Sequence, residues 1–360
     1  MNYTILIDDE FPRDLNQKIA QAQKRIYVQF MTFEGDSAGW QLAQQLITAK
    51  KRGIDVKVVI DYYTNFFVST RYYRFKSVRA EAQQTQEMIK MMRDAGIEVY
   101  RTRPYGPFNI FFASRNHKKL VIIDDYGYLG GFNISDHNYA WHDMMIRFEE
   151  PAILRTLLKD YEATLAGKRV NLDENYIISN EVITERFNKL IREAKEEIII
   201  SSPYFISKDI IDLAKQKKIT IKFLTVKKNN YQIANLMAKI IYPLFIKYNI
   251  EIYFYEKFSH AKFIIVDREK VLLGSSNFCI NNLPYEQEIG IYIEDKKFAE
   301  EVYNKLVTNQ MSKLQRYQRK FSCFRGLVSA LILFLIVHLS YPIFFFYALI
   351  TKLYIREIKK

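Results

Sequence analysis

Two histidines, His117 and His260, stand at the head of one repeated spacing. Lys119 and Lys262 follow them by two residues, and Asp124 and Asp267 follow the lysines by five. Soon after each comes a turn of small residues ending in asparagine, Gly130-Gly131-Phe132-Asn133 and Gly274-Ser275-Ser276-Asn277. The residues between lysine and aspartate, Leu120 to Ile123 and Phe263 to Val266, are apolar runs with the length of a buried strand. Side chains alternate between the two faces of a strand, so each histidine shares a face with its lysine. The aspartate has the opposite parity and begins a polar turn, which suits a backbone anchor better than a catalyst. An imidazole, an ammonium and a carboxamide brought together offer a nucleophile or proton carrier beside two groups suited to phosphoryl oxygens. The chain has five histidines, and two of them hold matching places in its two halves, which a stray histidine on a surface strand does not explain.

These repeats resemble the paired signature motifs of the phospholipase D superfamily. The likeness is strongest to its bacterial cardiolipin synthase branch, because the first motif runs on as Leu129-Gly130-Gly131-Phe132-Asn133-Ile134-Ser135-Asp136 and then Trp141-His142-Asp143. It covers residues 10 to 310 and ends before the C-terminal tail. The second motif departs from the family in lacking the Arg-Ser that often follows its asparagine; here Asn277 leads into Phe278 and Cys279. The resemblance implies two similar α/β lobes packed about a pseudo-twofold axis, with the two histidines serving one phosphorus. It also implies that the N-terminal histidine, His117, is the nucleophile and His260 the general acid, an assignment that the spacing leaves open.

A histidine in either role needs a partner that fixes its tautomer and stabilises its charged form. Asp143 lies 26 residues after His117 and Glu288 lies 28 after His260, each opening a strand-like segment. In the family, residues resembling these bond the histidines, and that role is carried to Asp143 and Glu288. Glu286 is a rival to Glu288, but the Ile-x-Ile-x-Ile alternation does not follow it directly. Lys119, Lys262, Asn133 and Asn277 are expected to hold phosphoryl oxygens, and Gly130, Gly131, Gly274 and Ser275 to shape the turns. No Cys/His set has zinc spacing, and the acids do not cluster along the chain as a divalent site requires, so no metal or cofactor is expected. His137, His142 and His338 are expected to do no chemistry.

The reaction so implied is phosphatidyl transfer through a phosphatidyl-histidine. Phosphatidylglycerol as acceptor would give cardiolipin, and water would make the enzyme a phospholipase D. A superfamily nuclease would use the same motifs, but nucleic-acid binding predicts a basic catalytic region. The charge lies elsewhere. Of a formal +13, residues 313–360 carry nine Lys/Arg and one acid, Glu357, and everything before them only +5. A non-catalytic membrane scaffold is disfavoured because both motifs are complete.

From Leu327 to Ile350 run 24 residues without a charged side chain, flanked by cations on both sides, a length that can span a bilayer. Pro342 would split the run into pieces of about 14 and 8 residues, so a re-entrant hairpin or interfacial form is the alternative. Either form places the protein at the cell membrane. The N-terminus has no basic region followed by an apolar stretch, so it does not read as a signal peptide and the catalytic lobes are expected on the cytoplasmic face. The aromatic and basic stretches 62–67 and 72–76 suit a headgroup-facing rim, base stacking or a packed loop. Cys279 and Cys323 make no disulfide framework.

The positioning elements follow from periodicity. Helical patterns are expected at 14–25, 35–52, 83–95, 187–195 and 208–217, and strands at 26–33, 54–60, 97–100, 120–123, 198–201, 219–225, 250–255 and 263–266. The order reads as parallel β-α-β units in each half, an internal duplication of roughly 150 residues. The division expected is a first lobe at 1–168, a second at 169–312 and a membrane tail at 313–360.

Overall fold

A computed structural model describes residues 1–61, 76–103, 115–204, 208–216, 218–230, 232–278 and 286–318, with isolated helical positions 324, 327, 328 and 331. The aromatic stretches 62–67 and 72–76 and the apolar tail 327–350 fall almost wholly outside these residues. Among the described residues no helix is long and apolar enough to cross a membrane. The chain divides into two compact units, Met1–Val182 with Glu286–Ile291, and Ile183–Tyr285 with Tyr292–Lys360.

The first unit is built from β1 (Tyr3–Ile7), α1 (Glu10–Gln21), β2 (Arg25–Phe30), α2 (Ser37–Lys51), β3 (Asp55–Asp61), α3 (Lys76–Asp94) and β4 (Glu98–Thr102). It continues with β5 (Leu120–Ile123), β6 (Tyr126–Gly130), α4 (Asp136–Ala140), β7 (Met144–Phe148), α5 (Pro151–Leu165), β8 (Asp173–Glu174) and β9 (Ile177–Ser179). Seven strands form one mixed sheet in the order β1-β7-β6-β5-β2-β3-β4. The expected β-α-β units are present, since β2, β3 and β4 run parallel and α2 and α3 make the crossovers. The motif strand β5 instead runs antiparallel to β2, with Val28 opposite Val121, and β5, β6 and β7 form a meander. Helices cover this sheet, so its central strands are apolar throughout: all four residues of β5 are buried. The helix α1 contributes Phe11, Leu15 and Ile19, a stripe at four-residue spacing, to the core beside β2.

The second unit repeats this plan with α6 (Glu181–Glu193), which starts just before the division, β10 (Glu197–Ser201), α7 (Lys208–Gln216), β11 (Thr220–Val226), α8 (Gln232–Lys247) and β12 (Glu251–Tyr255). After these come β13 (Phe263–Val266), β14 (Lys270–Gly274), β15 (Ile289–Glu294), α9 (Lys296–Leu306) and β16 (Gln315–Arg316). Its strands run β16-β12-β11-β10-β13-β14, with β10, β11 and β12 parallel and the motif strand β13 antiparallel to β10. This is the order of the first sheet written a second time. Residues 289–291 at the start of β15 are grouped with the first unit, where Ile289 pairs with Ser179 and Ile291 with Ile177 of β9, antiparallel as β7 pairs with β1.

The two motif aspartates close equivalent turns. Asp124, at φ +48°, accepts the N–H groups of Gln23 (2.8 Å), Lys24 (2.8 Å) and Arg25 (3.0 Å). Asp267, at φ +52°, does the same for Lys195 (2.9 Å), Glu196 (2.8 Å) and Glu197 (2.9 Å). Each ties the end of its motif strand to the start of the neighbouring strand. Burial would raise both carboxyls, but the three N–H donors outweigh it and hold them below the ordinary aspartate range. Both are partly exposed, so Asp124→Asn or Asp267→Asn is expected to lower unfolding free energy by only about 1–2 kcal/mol at neutral pH. A depressed folded-state pKa contributes stability above the unfolded value of about 3.9 and loses it as pH falls through the folded value. Urea titrations at pH 7 and pH 3 check this: the gap to wild type should narrow in acid, and an equal gap at both would refute the anchor.

Candidate active site

The alternation expected of the motif strands is realised in both copies. Lys119 Nζ donates to the carbonyl oxygen of His117 (2.6 Å), and Lys262 Nζ donates to that of His260. All four side chains are buried. Lys118, of opposite parity, points to the other face and pairs with Asp160 of α5 at 2.7 Å. Ala261 holds the corresponding place in the second motif.

In the first unit, His117 Nδ1 donates to Glu288 Oε1 at 2.9 Å. A carboxylate there fixes the proton on Nδ1 and puts the lone pair on Nε2, the nitrogen that a nucleophilic role requires. The glutamate that follows the second motif therefore meets the histidine of the first. The backbone explains how: His117 N donates to Gln287 O (2.9 Å), Gln287 N donates to Arg115 O (2.6 Å), and Asn116 and Gln287 form a parallel bridge. Residues 286–288 thus lie as a short strand along 115–117. Glu288 is secured by Asn180, whose Oδ1 accepts from Glu288 N at 3.1 Å. Position along the chain suggests Asp143 for this histidine; Glu288 holds its Nδ1, and Asp143 lies close enough to Lys119 to act on its charge. Its Oδ1 accepts from Met144 N (2.8 Å), and its backbone and that of Asp8 are joined by Asp8 N donating to Asp143 O at 3.1 Å. Gly131 presses so close to Asp143 that a Cβ there would fall 2.2 Å from Oδ1, which accounts for the glycine. His142 pairs with Asp8 at 2.8 Å and acts as a brace.

Burial lowers the Lys119 ammonium to about 8, against the opposing pull of Glu288, Glu286 and Asp143, so it stays charged at neutral pH. Asn133 Oδ1 accepts from Thr32 N (3.2 Å), leaving its NH2 as the end able to donate to a phosphoryl oxygen. In the second unit Ser201 Oγ donates to Ala261 O (3.1 Å) and Ser202 Oγ to Asn277 O (2.9 Å), pinning the motif strand and the turn that carries Asn277. Asn277 Oδ1 is buried with no hydrogen-bond partner among the described residues. Gly274 takes φ +151°, a region favourable only to glycine, and Ser275 beside it is buried.

Two groups of side chains among the described residues place metal-ligating atoms within 4.8 Å of one another: His117 with Glu286 and Glu288, and Glu34 with Asp36 and His137. In the second, Glu34 and Asp36, two residues apart in the chain, meet His137 of α4. Burial, with Glu81 and Asp36 nearby, pushes the Glu34 carboxyl up to about 9. In the first group Lys119 already supplies positive charge.

Comparison with known proteins agrees with this plan. The family described as cardiolipin synthase, PLD-like domain, matches residues 15–165 and 187–309, and the chain belongs to it. The major cardiolipin synthase ClsA of Bacillus subtilis (strain 168) is 28% identical over 331 residues, covering 82% of this chain and 65% of that protein. The cardiolipin synthase of Oceanobacillus iheyensis is 26% identical over 330 residues, covering 81% and 64%. The chain thus spans just under two thirds of the length of these relatives. Among solved structures, the phosphatidylserine synthase of Haemophilus influenzae Rd KW20 shares the fold, with a TM-score of 0.67 at 14% identity over 88% of this chain and 87% of that one.

Proposed function

We propose that this member of the cardiolipin synthase, PLD-like domain family is a phosphatidyltransferase that joins two phosphatidylglycerol molecules to give cardiolipin and glycerol. The observation that carries the reading is the buried pair of His117 and Glu288, with the Lys119 ammonium donating to the backbone carbonyl of His117. Nε2 of His117 attacks the phosphorus of one phosphatidylglycerol. His260 gives its proton to the departing glycerol alkoxide, leaving a phosphatidyl-histidine. His260 then takes the proton of the headgroup hydroxyl of a second phosphatidylglycerol, whose oxygen displaces His117 and completes cardiolipin. Lys119, Lys262, Asn133 and Asn277 hold the phosphoryl oxygens, where their charge and N–H donors act most strongly as negative charge builds. Asp143 is assigned to the catalytic residues, beside Lys119, and Glu288 to the tautomer of His117. Residues 1–168 and 169–312 are the catalytic lobes in this scheme. The apolar stretch in 313–360 holds them to the cytoplasmic face of the cell membrane.

One experiment tests both parts. Full-length protein is incubated with phosphatidylglycerol vesicles, lipids are followed by mass spectrometry, and sedimentation with the vesicles is compared with that of a chain ending at Arg325. Cardiolipin and glycerol in equal amounts are expected, with the shortened chain left in the supernatant. Phosphatidic acid in place of cardiolipin makes the enzyme a phospholipase D, and cleavage of added DNA or RNA with lipid unchanged makes it a nuclease. Equal sedimentation of the two chains removes the tail from the scheme.

A further inference from the structure

Glu288 is not alone at His117. The strand formed by residues 286–288 uses Gln287 for its backbone pairing with 115–117, so Glu286 and Glu288 have the same parity and flank one ring. Glu286 Oε2 lies 3.9 Å from His117 Nδ1, too long for a hydrogen bond and close enough for strong charge coupling. The Glu286 side chain is 15% exposed, and its Oε2 is buried without a hydrogen-bond partner among the described residues. Its backbone is held independently, since Arg169 Nη1 donates to Glu286 O at 3.1 Å. Two carboxylates beside one imidazole cannot both be ionised without mutual repulsion unless the ring is cationic.

We propose that Glu286 is a positioning residue for His117, a second carboxylate that stays neutral while the ring is neutral and ionises, releasing its proton to solvent, as the ring becomes positive. Glu288 fixes the Nδ1 proton throughout. The added negative charge at Glu286 then favours the cationic imidazolium, including the one bearing a phosphoryl group on Nε2. Burial and the charge of Glu288 raise the Glu286 carboxyl, against His117, Arg115 and Lys119, to about 7. Among the described residues the charged groups that face it are His117 and Lys119 from the motif, Arg115 from the segment before it, Glu288 from its own strand and, at its backbone carbonyl, Arg169. Such a set titrates as a unit, so its apparent steps belong to the group and not to one residue.

This inference deepens the transferase reading, and a readout independent of lipid separates the two. With 15N-labelled histidine, the ring nitrogens of His117 are followed by NMR from pH 5 to 9 in the full-length protein. In E286Q the His117 titration is expected to move down by about one pH unit, while the other histidines keep their shifts and report an intact fold. E286D, which retains a carboxylate, should restore most of it. In the cardiolipin assay, the limb of the kcat/KM profile near pH 7 should flatten in E286Q and persist in E286D. An unmoved His117 titration in E286Q overturns the inference whatever the lipid assay shows. A shifted titration in a protein that makes no cardiolipin supports the inference and removes the transferase reading.

Discussion

Alanine at His117 is expected to lower cardiolipin formation by about 10³-fold or more, with alanine at His260 doing the same and the double variant losing little beyond either one. The size follows from what is removed. Without the imidazole there is no covalent intermediate, and the two displacements collapse into one direct attack by an alcohol on a phosphodiester. The lack of additivity follows from the scheme: a nucleophile without its acid, or an acid without its nucleophile, completes neither half. Neither change should cost much stability, since each removes a ring at the start of a strand whose four apolar residues remain buried. An acid quench after mixing with phosphatidylglycerol labelled in its phosphatidyl moiety assigns the roles. Label retained on His260→Ala protein and absent from His117→Ala makes His117 the nucleophile, and the reverse exchanges them. If the double variant loses the product of the two single effects, the histidines do not share a reaction and the scheme fails.

How much of this is legible in the sequence depends on whether the determining contacts are local. The strands 120–123 and 263–266 were readable to the residue because each is a short, fully apolar run bounded by a polar turn. The aspartates of the motifs could be read as anchors from parity and turn position alone, although which N–H groups they accept could not. The helix α8 was obscured by Pro243 in its middle, which reads as a breaker; the flanking apolar residues Ile241, Leu244 and Phe245 pack into the core and keep the segment helical. β1 and α5 stand outside the expected elements, although Ile153, Leu157, Asp160 and Tyr161 of α5 recur at helical spacing; β1 pairs with β7 and α5 supplies the counter-ion of Lys118. The carboxylate at His117 was the hardest case. Order along the chain favoured Asp143, whereas the choice is made by a tertiary event, the pairing of 286–288 with 115–117 and of 289–291 with β9. Parity did hold the signal that Glu286 and Glu288 act on the same side, but not on which histidine.

Removing the carboxylate of Asp160 is expected to cost about 3–5 kcal/mol, a large share of the roughly 5–15 kcal/mol by which a domain is stable. Lys118 Nζ and Asp160 Oδ1 meet at 2.7 Å with side chains 1% and 0% exposed, so Asp160→Ala leaves an ammonium in the core with no counter-charge. The pair is not needed for the fold as such, because Ala261 fills the corresponding place in the second motif and is equally buried. Replacing both partners with apolar residues of similar size, Lys118→Met with Asp160→Leu, should therefore recover most of the loss, since no charge then remains to be desolvated. Thermal and urea midpoints of wild type, Asp160→Ala and the double variant measure this directly. Lys118 lies on the face of its strand away from His117 and Lys119, so turnover per folded double-variant molecule should stay within a few-fold of wild type. A double variant as unstable as Asp160→Ala would show that the packing of β5 on α5, and not the buried charge, sets the cost.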